Sequence, residues 1–219
     1  MDESSSPDHL SSSLTDLMTS LMVIFILLLL VFVQRTGAKD TAEATRLLQE
    51  LRKELRPGAT DSPELKQEQN RILLIAPERL MSFEPGKWAL SERGKKFLDQ
   101  KLPSIARTLY AKEFQTAIES IVVEGHSDLQ AFRGYEPAES RNRNLELSQK
   151  RAMEVVRTAL DDLRISPKEE QDWFVSKLSS SGRGQQDCQA ADGQDECRKV
   201  IFVIRVRAFD AKSLQAKLQ

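Results

Sequence analysis

Two residues of opposite charge stand where they could recognise an amino acid. Asp128 follows an apolar run of strand length, Ile118–Glu124, and Arg151 lies on the helix predicted after it. An acid at the tip of a strand and a base on the adjoining helix can meet the ammonium and the carboxylate of a zwitterion, and Arg can bind the carboxylate bidentately. The same two residues could instead pair with each other, and their positions in the sequence leave both interpretations open.

A further acid, Asp16, lies inside an apolar stretch. Leu14–Val33 has the roughly 20 residues that a helix needs to cross the hydrocarbon core of a bilayer. An acid there is costly in lipid, so it indicates an ion site or a water-filled neighbour. Thr19 and Ser20 follow on the same side of the helix, where their hydroxyls could coordinate an ion or permit close helix packing. A cleaved signal peptide is less favoured, because no Lys or Arg precedes the stretch.

The two cysteines, Cys188 and Cys197, bear on the compartment. They lie nine positions apart in a polar stretch, which favours a disulfide in an oxidising compartment. A metal site is less favoured, because neither histidine of the chain is near them. Arg35 and Lys39 follow the apolar helix, and the positive-inside rule would place the C-terminal part in the cytoplasm. The expected disulfide indicates the opposite orientation.

Composition argues against several functional classes. The formal net charge is −1, so no positive excess indicates direct binding of nucleic acid. The sequence contains two histidines and shows no Ser-His-Asp set, no paired carboxylates and no metal-ligand spacing. We therefore expect that the chain is not an enzyme and that it has no cofactor or metal. His126 is interpreted as a structural residue at a strand tip.

Residues 64–219 alternate strand and helix patterns. A helix is predicted from the N-cap Ser91 to Tyr110, with a kink or break at Pro103. The other predicted segments are strands at Arg71–Ala76, Ile118–Glu124, Leu178–Ser180 and Val200–Ala208, helices at Arg141–Leu163 and Ser166–Lys177, and loops at Leu129–Ser140 and Ser181–Glu196. The order β-α-β-α-(α)-β-β predicts an α/β sandwich with helices on one face of the sheet. The chain thus divides into a tail (1–13), a transmembrane helix (14–33), a connector (34–63) and an α/β domain (64–219).

The connector has a helical apolar stripe. Its members are spaced 3, 4, 3 and 4 positions apart, and they are Thr41, Ala44, Leu48, Leu51 and Leu55. The stripe could pack on the chain's own domain, form a short parallel coiled coil that makes a dimer, or serve as an amphipathic plug at the membrane. Pro57–Pro63 is predicted to be a linker.

The residues around Asp128 belong to a longer motif. Gly125-His126-Ser127-Asp128 is followed by Asn144-x-x-Leu147-Ser148-x-x-Arg151-Ala152, and this resembles the OmpA-like peptidoglycan-binding domain. The resemblance covers about residues 70–208 and includes Phe83-Glu84-Pro85-Gly86, Gly182-Arg183-Gly184 and Arg198-Lys199-Val200. It implies that Asp128 and Arg151 bind diaminopimelate of the cell-wall stem peptide, in a groove lined by Asn144 and Ser148. The interval from Asp128 to Asn144 is longer than the family usually shows, so an enlarged loop there could cover the groove.

The apolar segment resembles a second family. Asp16-Leu17-Met18-Thr19-Ser20-Leu21-Met22 is similar to the stretch that carries the ion-binding Asp of MotB-type stator subunits. That resemblance implies a homodimer inside a ring of about five MotA-like multi-spanning subunits. Asp16 would carry a proton or Na⁺, assisted by Thr19 and Ser20. Peptidoglycan binding and the disulfide together place the C-terminal domain in the periplasm, the tail in the cytoplasm and the helix in the bacterial inner membrane.

The short tail bears on which motor this is. It is acidic and contains no Trp or Tyr, and in this it resembles the MotB-like subunit of Zorya anti-phage defence systems more than a flagellar stator. The sequence therefore predicts a peptidoglycan-anchored stator subunit of an ion-driven motor, of the Zorya type. The alternatives are a flagellar MotB-type stator and a non-conducting tether between membrane and wall, in which Asp16 is incidental.

Overall fold

The structure, a computed structural model, describes residues 8–56, 62–84, 86–162, 167–189 and 192–207. Several predictions concern residues outside these ranges. They are the start of the tail (1–7), most of the linker (57–61), Pro85 of the turn, the helix boundaries at Leu163 and Ser166, and the chain from Ala208 onward. The chain forms two compact units, Met1–Lys39 and Asp40–Gln219.

The first unit consists of the N-terminal part of helix α1, which runs from Asp8 to Leu55. Its segment Leu14–Val33 has a mean hydropathy of 2.7 over 20 residues, and none of it is buried within the protein. By length and composition this is one helix able to cross a membrane.

The C-terminal part of α1 belongs to the second unit. Ala44, Leu48, Leu51 and Leu55 are at most 5% exposed and lie in the hydrophobic core of the domain, together with Leu47. Their packing on the chain's own domain is the first of the three alternatives for the apolar stripe. The compact unit accordingly begins at Asp40, upstream of the boundary at residue 64 that the sequence predicts.

A five-stranded sheet forms the centre of the domain. The strands are β1 (Glu64–Glu68), β2 (Arg71–Pro77), β3 (Ile118–His126), β4 (Leu178–Gly184) and β5 (Lys199–Val206). Their spatial order is β1-β2-β5-β3-β4, with β3 and β4 parallel and the other neighbours antiparallel. The sequence did not predict β1, because Glu-Leu-Lys-Gln-Glu contains a single apolar residue, Leu65.

In the part of the chain that the structure describes, α1 is followed by α2 (Glu92–Tyr110), α3 (Pro137–Asp162), α4 (Lys168–Lys177) and the single turn α5 (Gln194–Cys197). The predicted N-cap is confirmed, since the Ser91 side chain accepts a hydrogen bond from the Gly94 N–H at 3.2 Å. The predicted break at Pro103 is wrong, because α2 continues through it. Apolar residues on both sides of Pro103 bury the same helix face, and this packing holds the helix together (Phe97, Leu98, Leu102, Ala106 and Leu109).

The helices cover one face of the sheet, as the sequence predicts. On β2 the residues Ile72, Leu74 and Ala76 are buried and alternate with half-exposed ones, which is the pattern of a sheet with one covered face. On β3 the covered face includes Gly125, where a side chain would meet the backbone carbonyl of Ser148 on α3. Strand and helix approach each other closely at this point because the position is glycine.

Candidate functional site

Asp128 lies just beyond the C-terminal end of β3 and is 8% exposed. Its Oδ1 accepts a hydrogen bond from the Gln130 backbone N–H at 3.1 Å. Its Oδ2 lies 2.7 Å from both Nε and Nη2 of Arg198. The ion-pair partner of Asp128 is therefore Arg198, whereas one interpretation of the sequence paired it with Arg151.

Arg198 is a residue of the site that the sequence analysis did not identify. Besides Asp128 it contacts Glu78, with Nη1 3.5 Å from the carboxylate, and Gln130, whose Oε1 accepts from Nη2 at 3.1 Å. Arg198 immediately precedes β5, and the antiparallel register of β5 with β3 sets Val200 opposite Gly125. That pairing brings the start of β5 to the end of β3. In the sequence, the signal that could have indicated this contact was Arg198-Lys199-Val200, which belongs to the OmpA-like resemblance.

Arg151 extends from α3 toward the same place and is 8% exposed. Its Nε donates to the Lys87 carbonyl at 3.2 Å, and its guanidinium lies 4.9 Å from the centre of the Phe83 ring. Burial, and after it the positive charge of Arg198, lower the pKa of the Arg151 guanidinium, while Glu78 and Asp128 act in the opposite direction. Arg198 holds the two acids of the site, so Arg151 is the cation best placed for an incoming anion.

The structure brings Asn144 to the site but not Ser148. Asn144 is 4% exposed, and its side-chain amide donates to the Gln130 carbonyl at 3.0 Å. Ser148 is fully buried, and its hydroxyl accepts from the Gly184 N–H at 2.9 Å and donates to the Leu145 carbonyl at 2.7 Å. The prediction that Ser148 lines the groove is therefore corrected: this residue ties α3 to the end of β4.

Together these residues line a groove of about 310 Å³. Its charges are two acids and two bases, which are Glu78, Asp128, Arg151 and Arg198. The remaining lining residues are Phe83, Gly86, Ser127, Gln130, Ala131, Phe132, Asn144 and Leu147. The Ser127 hydroxyl oxygen is buried, and among the described residues it has no hydrogen-bond partner. A volume of this size suits an amino acid or a short peptide with both charges.

The segment between Asp128 and Asn144 is shorter as a loop than the sequence predicts. Helix α3 begins at Pro137, four residues before the expected start at Arg141, because proline suits the first turn of a helix. The remaining loop is tied to α3 by a hydrogen bond of 2.8 Å from the Phe132 N–H to the Ser140 hydroxyl. Its residues form one wall of the groove and leave the groove open.

His126 lies beside the groove and does not line it. Its ring is buried, with Nδ1 3.4 Å from the Gln186 carbonyl and Nε2 3.7 Å from the Glu124 carboxylate. The contact with His126, reinforced by the charge of Arg183, lowers the pKa of Glu124 against the opposing effect of burial. The one possible metal-binding group among the described residues, Cys188, Asp192 and Cys197, does not include His126.

The predicted disulfide is confirmed, with Cys188 and Cys197 bonded at 2.02 Å. Asp192 lies close to both sulfurs, but the sulfurs are bonded to each other, which disfavours the metal alternative. Residues at both ends of the bridged loop line a surface pocket together with Leu129 and Gln130. The loop ends at Cys197, directly before Arg198, so the disulfide fixes the backbone next to the cation that holds Asp128.

In the N-terminal unit, the predicted ion-site residues Asp16, Thr19 and Ser20 share one turn of α1, and all three are exposed there. The Thr19 hydroxyl lies 3.0 Å from the backbone carbonyls of Thr15 and Asp16, to which it can donate. The spacing therefore places the carboxylate and both hydroxyls on one side of the helix.

Comparison with known proteins identifies the domain. The model of the OmpA family matches residues 82–201, which is more than half of the chain. A MotB-like protein from Desulfovibrio vulgaris has a similar structure, with a TM-score of 0.54 and 18% identity over 80% of this chain and 98% of that one. The periplasmic domain of Helicobacter pylori MotB gives a TM-score of 0.50 and 18% identity, over 75% and 91% of the two chains. No curated protein sequence matches significantly. The strand-tip motif, the groove and the family match agree, and the chain belongs to the OmpA family.

Proposed function

We propose that this chain is a peptidoglycan-anchored stator subunit of an ion-driven motor in the bacterial inner membrane. The observation that carries the first half is the groove, in which Arg151 is buried and directed at a space that also contains Asp128. A diaminopimelate residue has an ammonium and a carboxylate on the same carbon. Arg151 would bind the carboxylate bidentately, and Asp128 would accept from the ammonium.

The pairing of Asp128 with Arg198 does not prevent this role. An ionised carboxylate offers about four lone-pair sites, and the protein contacts at Oδ1 and Oδ2 leave some of them free. Arg198 keeps Asp128 in place. The ligand would therefore be selected by Arg151 and by Asp128, which it shares with Arg198.

The second half of the proposal rests on Asp16. In a helix surrounded by other helices the carboxylate would lose its hydration, which disfavours its ionised form, so it would take up a proton or cation whenever access opens. Thr19 and Ser20 would supply oxygen ligands beside it. Two copies of the chain within a ring of MotA-like subunits would then convert ion binding and release into rotation of the ring.

Orientation follows from the same proposal. Peptidoglycan lies outside the inner membrane, and a disulfide persists in an oxidising compartment. We therefore place the domain in the periplasm and the tail in the cytoplasm, with Asp16 toward the cytoplasmic end of the span. The residues before the apolar segment are acidic and include no Trp or Tyr, and this favours a defence motor of the Zorya type over a flagellar one.

Wall binding is tested by co-sedimentation of the detergent-solubilised chain with purified sacculi. Arg151→Met keeps an apolar stem over Phe83 but removes the charge, and we expect binding about 10- to 100-fold weaker, from the loss of ~1.5–3 kcal/mol of charged hydrogen bonds. The matched control is Arg157→Met on the same helix, whose side chain is 64% exposed and outside the groove. Wild-type binding by Arg151→Met would show that the wall is bound elsewhere.

Ion conduction is tested by Asp16→Asn, with flux measured in proteoliposomes that contain the MotA-like partner. We expect flux and biological activity to be lost, while Asp8→Asn, outside the apolar segment, retains both. Full activity with unchanged ion permeability in Asp16→Asn would leave the non-conducting tether as the function. Neighbouring genes separate the two motors, since nuclease or helicase genes beside a MotA-like gene indicate defence and flagellar genes indicate swimming.

A further inference from the structure

A turn on the rim of the groove carries an exposed tryptophan, Trp88. The Glu84 N–H donates to the Ala89 carbonyl at 3.1 Å, and the Lys87 N–H donates to the Glu84 carbonyl at 3.0 Å. The Lys87 carbonyl in turn accepts from Arg151 Nε at 3.2 Å. The turn is thus fixed in its own conformation and bonded to Arg151 of the groove.

Trp88 presents the most open aromatic surface among the described residues of the domain. It is 52% exposed, whereas Tyr135 is 40% exposed and has the Arg143 guanidinium 3.8 Å from its ring centre. Phe83 is covered by Arg151. An indole side chain offers roughly 200 Å² of surface when fully exposed, so about half of that is open to a ligand. Tryptophan in such positions is typical of binding surfaces.

The charged residues around Trp88 neutralise one another. Lys150 Nζ lies 5.1 Å from the ring centre of Trp88 and 2.6 Å from the Glu146 carboxylate. On the turn itself, Lys87 and Glu84 form a second ion pair of 2.8 Å. Each pair carries no net charge, so together they do not favour a charged ligand over a neutral one. A neutral ligand with an apolar face and several hydroxyls could stack on the indole and bond to the charged rim without displacing either pair.

The turn that carries Trp88 borders the groove. Gly86, two residues before Trp88, lines the groove, and the Lys87 carbonyl, one residue before Trp88, is bonded to Arg151 of the groove. A ligand that leaves the groove past Gly86 therefore has this turn beside it. In peptidoglycan, the stem peptide is attached to a sugar. We propose that Trp88, with Lys150 and Glu146 beside it, is a stacking platform for the N-acetylated sugar that carries the stem peptide; this inference rests on the proposed binding of the peptide in the groove.

Calorimetry with three soluble ligands tests the platform. The detergent-solubilised full chain is titrated with a diaminopimelate-containing stem peptide, with the same peptide on its disaccharide, and with the disaccharide alone. We expect the disaccharide-peptide to bind about 3- to 10-fold more tightly than the peptide, which corresponds to one aromatic contact. Trp88→Ala removes this gain and leaves the affinity for the free peptide unchanged. Trp88→Tyr recovers part of the gain. Val175→Ala, on α4 at a residue that is 60% exposed, retains all of it.

Four outcomes contradict the platform, and they are distinguishable. If the peptide binds but its disaccharide gives no gain, the groove is correct and the platform is wrong. If the gain persists in Trp88→Ala, the sugar binds elsewhere. If the peptide fails to bind the wild-type chain, the proposed function of the groove is lost and the platform is lost with it. A dependence of the chain's oligomeric state on Trp88, measured by ultracentrifugation without ligand, would assign the indole to a protein interface instead.

Discussion

Removing the Arg198 side chain should destabilise the domain through the acids it leaves behind. In Arg198→Leu, the carboxylates of Asp128 and Glu78 both lose their cation. Asp128 is 8% exposed, so water can replace the lost partner only in part. A second change, Asp128→Asn, removes the charge that was left behind. The double variant should therefore lose less stability than the two single losses would give together.

The burial of the pair sets the size of the effect. Breaking a fully buried pair costs about 3–5 kcal/mol, and breaking an exposed pair costs about 0–1 kcal/mol. The side chains of Arg198 and Asp128 are 27% and 12% exposed, which lies between these limits and nearer the buried one. We therefore expect Arg198→Leu to cost about 2 kcal/mol, with a coupling energy to Asp128 of about 1–2 kcal/mol.

Urea unfolding of residues 40–219, monitored by circular dichroism, measures both quantities. With a urea dependence of about 2 kcal/mol per molar for a domain of this size, the midpoint should fall by about 1 M. Arg157 is the matched control, because it also contacts two acids, Glu154 at 2.7 Å and Asp161 at 3.5 Å, but its side chain is 64% exposed. Arg157→Leu should lower the midpoint by less than about 0.5 M.

Two results would refute this reasoning. In the first, Arg198→Leu and Arg157→Leu shift the midpoint equally, which would mean that the partial burial of the pair has no energetic weight. In the second, the coupling between positions 198 and 128 falls below about 0.5 kcal/mol, the level expected for independent sites. Asp128 would then be held by its bond from the Gln130 backbone, and Arg198 would be free to bind ligand itself.

Three further predictions concern stability. Replacing both cysteines by serine opens a loop of sequence separation nine and should lower the free energy of unfolding by about 2.5–3 kcal/mol, because the unfolded chain is no longer constrained. The midpoint of heat denaturation should fall by about 5–10 °C. An unchanged midpoint would contradict this prediction. Burial, and then nearby acids of α2 and α3, raise the pKa of Asp162, so its charged form destabilises the fold as pH rises above about 4. Asp162→Asn, at the C-terminal end of α3, should therefore add about 0.3–1 kcal/mol to the free energy of unfolding at pH 7 and nothing at pH 3. A gain at both pH values would exclude the charge as its cause. Gly125→Ala sets a methyl group against the Ser148 carbonyl and should cost at least about 2 kcal/mol, whereas Gly193→Ala, with open space around it, should change the urea midpoint by less than about 0.3 M.

The sequence could predict the parts of the site that are close together along the chain. Asp128 and Asn144 belong to one strand-tip and helix motif, and the structure brings both to the groove with Arg151. Ser148 belongs to the same motif, yet it faces β4, because spacing on a helix does not say which neighbour each face meets. The disulfide was predictable for the same reason of closeness.

The parts that the sequence could not predict depend on strand pairing or on packing. Arg198 reaches Asp128 across a sequence separation of 70 residues, and only the register of β3 with β5 brings them together. The apolar stripe of the connector was visible as a pattern, but periodicity cannot say what covers a helix. In the structure Leu51 and Leu55 are fully buried in the core of the same chain.

The position of β5 has a consequence for how the domain is made. β5, the last strand within the described residues, stands third in the sheet, between β2 and β3. Until Lys199–Val206 has been synthesised, each of those strands has an open edge toward the place of β5, and Arg198 is not there to hold Asp128. Sheet and groove must therefore form together, once β5 has been synthesised. For a domain proposed to cross a membrane before it folds, this order delays the stable fold until β5 has passed. A chain that ends before Lys199 should expose two strand edges and aggregate rather than fold in part.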